Sequence, residues 1–229
     1  MVNPDQLSRV TLAKVEKAEA KYHARGYNST YEEVYKACFR ERLITNPDKD
    51  SVLRLTKFVN SWSNRTRYST LPHLEAVLSS HTKTNDHLRD VRLEGDSLES
   101  GSLDAVQSVF QELSSVKHFG PTGASKYLGV IQPQLCVMWD VPIRKVYGYS
   151  EKAPDYADYL VKMRKLALRL LADAGRRGIT DPADNISQKI GIRVSYTLAT
   201  LINHYVWVNV TMPLQKRNTP ISTQHEQVK

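Results

Sequence analysis

Along most of this chain, apolar residues recur at three- and four-residue spacing, the stripe of an amphipathic helix rather than the alternation of a strand. Leu103, Val106, Phe110, Leu113 and Val116 form one such face. Gly120-Pro121 interrupts it in a tight turn, and Ala124, Tyr127, Leu128 and Ile131 restart the pattern at once. An apolar run, Leu135-Cys136-Val137-Met138-Trp139, then stops at Asp140, and a further helix is predicted from Val141-Pro142-Ile143.

The same reading extends outward from this centre. Residues 4–26 predict a helix with Leu7, Val10, Leu12, Val15 and Ala18 on one side and a row of lysines on the other. Thr30-Tyr31-Glu32-Glu33 has capping-box spacing and opens a second helix to about Ile44, stopped by Asn46-Pro47. Residues 51–62 give a third helix, 71–81 and 83–92 shorter ones, and 94–101 a loop. A long helix is predicted over 156–174, opened by Pro154 and ended by Gly175 and Gly178, with a short one over 181–189. Residues 194–208 are rich enough in β-branched and aromatic side chains for a strand. Their length and the Leu198, Leu201, Ile202, Tyr205 spacing favour a buried helix. The expectation is an all-α chain, with one domain over residues 1–212 and a flexible polar tail over 213–229.

Composition narrows the partners. The 229 residues carry a net charge of +8 and a sequence pI near 9.4, which suits a polyanion. Cys38 and Cys136 are too few for a four-cysteine cluster and fit a reducing compartment. The first residues lack a signal-peptide pattern, and no apolar stretch reaches spanning length. These features predict a cytoplasmic protein (nucleoid-associated in a bacterium), monomeric and without membrane contact. No histidine and carboxylate spacing suggests a metal site.

Candidate chemistry gathers at two places. With Gly120 as helix cap and Pro121 as first helical residue, the amides of Thr122 and Gly123 would face outward, where a phosphate oxygen could accept from them. Lys117, His118 and Lys126 add polar or cationic reach. Asp140, at a helix start after a buried run, would be held rigidly and kept ionised by the helix N-terminal field. Such an aspartate is most often only a cap, though capping and catalysis are compatible. The second place is residues 58–69, where Asn60, Trp62, Asn64, Arg65, Arg67 and Tyr68 combine stacking surfaces with guanidinium groups. An enzyme that extrudes a base needs such parts. In the plainer reading, Trp62 is core and the arginines are a solvated helix end.

Residues 103–149, with GPTGASK and MWDxxIRxxYG, resemble the helix-hairpin-helix (HhH-GPD) DNA glycosylases, and more closely a divergent branch of that superfamily. The rest of the chain agrees only in being helical. Aligning Ala124 with the small residue after the family hairpin puts Asp140 on the catalytic aspartate without a gap. Ile143 and Lys145 then fall on the apolar and basic positions beyond it. The resemblance implies two helical lobes with a DNA-binding cleft between them and double-stranded DNA as partner. On that reading Lys117, His118, Gly120, Thr122, Gly123, Lys126, Arg144 and Lys145 would contact the DNA backbone and Trp139 would border the base pocket, while residues 58–69, on their own chemistry, would add Arg65 and Arg67 to the backbone contacts and Trp62 and Asn60 to the pocket. The resemblance requires no metal and no organic cofactor, although such a hairpin can hold a structural monovalent cation. Thr122 stands where strand-cutting members carry lysine, which implies base removal alone; Lys126, one turn on, is the other amine in reach. His118 stands where the family usually has glycine. The implied substrate is either a repair lesion or a hypermodified phage base such as glucosylated hydroxymethylcytosine. A non-catalytic DNA-binding module is the reading from another class.

Overall fold

Three helices begin at an aspartate whose side chain accepts from first-turn amides. Asp48 accepts from the Ser51 amide at 2.7 Å, Asp140 from Ile143 at 3.0 Å, and Asp181 from Ala183 and Asp184, both at 2.9 Å. The computed structural model describes residues 7, 9–24, 37–62, 66–96, 98, 100–192 and 196–218. The predicted capping box at residues 30–33 lies outside them, as do Asn64 and Arg65.

Among the described residues every regular element is helical. In chain order these are α1 (Leu12–His23), α2 (Ala37–Thr45), α3 (Lys49–Ser61), a 3-10 turn (Tyr68–Thr70), α4 (Leu71–Ser80) and α5 (Thr82–His87). They continue with α6 (Ser100–Ser115), α7 (Gly120–Ile131), α8 (Val141–Tyr147), α9 (Ala153–Arg176), α10 (Pro182–Lys189) and α11 (Leu198–Asn218). The all-α expectation holds, and the segment with strand-like composition is part of α11. Several boundaries differ: the helix expected over 4–26 begins at Leu12, the one expected over 83–92 ends at His87, and α11 runs through Pro213 to Asn218, so the chain expected to be a tail from 213 is helical for its first six residues. Tertiary contact explains the last difference, because Leu214 and Gln215 border a pocket there and have neighbours that a composition count cannot see.

The centre of the molecule is the α6–α7 pair, with α9 against α6 and with α2 and α3 against α7. The two ends of the chain close the other side, where α1 packs along α11 and α11 also meets α8, α9 and α10. One continuous apolar core runs from Leu7 to Val210.

A buried polar cluster fastens α1 to α11. Glu19 and His204 are both fully buried, and His204 Nδ1 lies 2.9 Å and 3.0 Å from the two Glu19 oxygens. His23 reaches Glu19 Oε1 at 2.8 Å. Tyr22 stacks on the His204 ring at 3.8 Å, so the cluster also fixes the Tyr22 side chain. Burial pushes the Glu19 carboxyl up, but the charge and hydrogen bonds of His204, then those of His23, outweigh it and hold the group below its ordinary value. A carboxyl so held contributes stability above the unfolded carboxylate range and loses it as pH falls below that range.

Removing His204 alone leaves the buried Glu19 charge with His23 as its one remaining histidine partner. His204→Leu is expected to cost about 3 kcal/mol in denaturant unfolding, and Glu19→Leu with His204→Leu together less than either change alone. In thermal melts, the wild-type loss of stability between about pH 5 and pH 3 should shrink in Glu19→Gln.

Candidate active site

The helix after the turn, α7, holds the site by two faces. Its first turn is shaped by Phe119, whose ring lies over Gly123 so closely that a Cβ there would sit 2.8 Å from it. Phe119 also meets Tyr127 edge-on at 4.7 Å. Gly123 is therefore fixed by packing. The helix cap is Phe119 rather than Gly120, one residue earlier than the Gly-Pro pattern suggests. With that start, the Gly123 amide pairs inside the helix, and the outward amides of the first turn are those of Gly120 and Thr122. Gly120 has φ of 69° and His118 has φ of 64°. His118 thus holds, with a side chain, the left-handed backbone that glycine would hold without strain.

The other face of α7 fixes the run before Asp140. Ser125, fully buried, donates to the Trp139 carbonyl at 2.9 Å and accepts from the Trp139 amide at 3.2 Å. From α9, the Tyr156 hydroxyl donates to the Val137 carbonyl at 3.2 Å and Tyr159 to the Met138 carbonyl at 3.3 Å. Arg144, almost wholly buried, donates to Thr122 Oγ1 at 3.0 Å and to Glu151 at 2.7 Å, and lies over the Trp139 ring. It ties the turn to α8 from inside.

Asp140 emerges from this frame at the edge of a pocket of about 290 Å³ between α1, α3, α7, α8 and α11. Its Oδ1 accepts from the Ile143 amide, and its Oδ2 accepts from Thr211 Oγ1 at 2.7 Å. Lys126 lines the same pocket, its Nζ donating to the Trp62 carbonyl at 2.7 Å. Burial pushes the Lys126 amine down to about 8, against the pull of Asp140. Burial also pushes the Asp140 carboxyl above its ordinary value, more than the Ile143 amide, the Thr211 hydroxyl and the Lys126 and Arg144 charges draw it down. The Ile143 amide at the helix start, which favours the ionised carboxyl as expected, is outweighed by burial.

The predicted site residues separate into groups. Asp140, Lys126, Thr122, Trp62 and Trp139 border the pocket. Trp139 is 1% exposed and packs among Phe110, Tyr156 and Tyr159, so it backs the wall with its ring in the core. Trp62 packs edge-on against Phe58 at 4.2 Å. Asn60 is spent on the backbone, donating to the Thr66 carbonyl at 3.0 Å and accepting from its amide at 2.9 Å. Lys117, His118, Arg67 and Lys145 are exposed, whereas Arg144 and Lys126, expected to reach phosphate, are turned inward by their hydrogen bonds. Arg65 lies outside the described residues.

Sequence reasoning passed over the opposite wall. Asn203, Trp207, Thr211 and Gln215 fall four residues apart on α11 and line the pocket with Leu214, and Tyr22 joins them from α1. A four-residue polar and aromatic stripe inside an otherwise apolar helix is the signal that marks them. Among the described residues no group of three His, Cys, Asp or Glu side chains could hold a metal ion, and no helix is long and apolar enough to cross a membrane. Cys136 is buried, its thiol pushed up to about 12, and serves as packing. The chain gives no match to protein-family models, to curated proteins or to solved structures.

Relief of the His118 strain should register in stability. His118→Gly is expected to melt at or above the wild-type temperature, by up to about 1 kcal/mol, whereas Gly123→Ala, which drives a Cβ into the Phe119 ring, should lower it.

Proposed function

We propose that the protein is a monofunctional DNA glycosylase. The observation that carries this reading is Asp140: a carboxylate fixed at both oxygens, at the mouth of a pocket, directly beyond a helix–turn–helix whose turn offers free amides and exposed Lys117 and His118. Double-stranded DNA would lie in a cleft between two helical lobes, with the turn against backbone phosphate and Lys145 and Arg67 adding charge. The net charge of +8 favours such a partner.

The target nucleotide would rotate into the pocket, between Tyr22 and Trp207 on one side and Trp62 on the other. Cleavage of the base–sugar bond builds positive charge on the sugar, as in glycoside hydrolysis. The Asp140 carboxylate stabilises that charge and accepts a proton from the attacking water. Its two hydrogen bonds set the carboxyl plane before substrate arrives. Thr122, at the position of the family's nucleophilic lysine, has no amine, so the product is an abasic site with the strand intact. The base released is a repair lesion or a hypermodified phage base, and the enzyme acts as a cytoplasmic monomer without a cofactor.

Asp140→Asn keeps the hydrogen bond from Ile143 and removes the charge. It is expected to bind duplex DNA as wild type does and to lose about a hundredfold or more in the rate of base release, measured as abasic sites over a panel of modified duplexes. Because burial raises the Asp140 carboxyl, wild-type release should fall on acidification at a pH above the ordinary aspartate range. Full activity in Asp140→Asn would end the proposal, and binding without release from any duplex would leave a DNA-binding module.

A further inference from the structure

The glycosylase reading leaves Lys126 without a task, since its amine is buried in the pocket and does not face the phosphate backbone. Lys126 and Asp140 project into the same cavity from α7 and from the start of α8, and the Lys126 amine is aimed by the Trp62 carbonyl. Of the other described side chains around it, Tyr22 on α1 is titratable, and Arg144 behind Asp140 is a fixed cation held by Glu151. From α3 comes the Trp62 ring and carbonyl, and the described α11 side chains that line the pocket, Asn203, Trp207, Thr211, Leu214 and Gln215, are neutral. Among the described side chains lining it, the pocket thus holds one ammonium, Lys126, and one carboxylate, Asp140.

Resting on that reading, we infer that Lys126 is the general acid for the departing base, and that the substrates are bases uncharged before cleavage. When the C1′–N bond of a neutral base breaks, the bonding pair leaves with the base, which would depart as an anion unless a proton reaches it. The Lys126 ammonium gives that proton to a nitrogen or oxygen of the base and becomes the amine. Water adds its oxygen to C1′, and the proton it sheds goes to the Asp140 carboxylate. Solvent exchange returns a proton from Asp140 and delivers one to Lys126, so charge and atoms balance over the cycle. A purine alkylated at N3 or N7 needs no such donor, because it is cationic before cleavage and leaves neutral; the ammonium would also repel it. Two groups whose surroundings drive their titrations toward each other are what an acid and a base in one site require. Burial brings Lys126 down to about 8, within reach of useful proton transfer at neutral pH.

The test uses the full-length protein on duplexes holding one uracil, oxidised guanine or glucosylated hydroxymethylcytosine, against duplexes holding the cationic 7-methylguanine or 3-methyladenine. Wild type should release base from the neutral set, with a rate that falls as pH rises through about 8 and the ammonium is lost. Lys126→Gln should slow this release by about a hundredfold and flatten the alkaline limb. Should that variant fail to fold, wild-type substrate preference and pH profile decide alone. Release of methylated purines as fast as neutral bases, or a flat alkaline limb in wild type, would overturn the assignment. Borohydride capture of Lys126 on DNA would do the same, by making the amine a nucleophile. No release from any duplex removes the glycosylase reading and this inference with it, whereas release that ignores Lys126 removes the inference alone.

Discussion

An extended stretch of backbone, residues 136–140, passes through the apolar centre without a neighbouring strand to pair with. Buried carbonyls and amides left unpaired cost about 1–3 kcal/mol each. Here side-chain hydroxyls replace the missing strand: Tyr156 serves Val137, Tyr159 serves Met138, and Ser125 serves both polar groups of Trp139. The Cys136 amide goes to the Gln132 carbonyl at 2.8 Å. These bonds come from α7 and α9, so the position of Asp140 is set by the two helices that also form the core. The burial that makes the run rigid also strips water from the groups at its end, and the electrostatics of the pocket follow from that.

The turn and the aspartate are mechanically one object. Arg144 spans them from beneath, through Thr122 on one side and Glu151 on the other, with its plane near the Trp139 ring. A guanidinium buried in this way has lost its use as a surface charge. The side chains near the turn and α8 that do lie in the open include Lys117, His118, Lys145 and Arg67. Arginine suits the inner role because its donors diverge in a fixed plane and can serve two partners at once.

Most helices were legible because their apolar spacing and their Asp, Pro and Gly ends are local properties. The turn and Asp140 were legible for the same reason, lying within a few residues of the breaks that create them. What could not be read was direction. Lys126 and Arg144 look like any basic residues near a Gly-Pro turn, and only the Trp62 carbonyl and the Thr122 and Glu151 oxygens, distant in sequence, turn them inward. Asn60 looked like a hydrogen-bonding group for a base, but its amide closes its own loop on Thr66. The α11 wall was missed because α11 meets Asp140 across 71 residues of chain, through Thr211. The same distance hid why residues past Pro213 stay helical.

Pro213 has a further effect on that wall. It brings no N–H to the ladder, so the Asn209 carbonyl lacks its usual partner one turn along, and the ring crowds the turn before it. Thr211, bonded to Asp140, sits just ahead of this break, while Leu214 and Gln215 sit just after it. One rim of the cavity thereby carries Thr211, which holds the Asp140 carboxylate, on one side of the missing hydrogen bond and Leu214 and Gln215 on the other, all on one continuous helix.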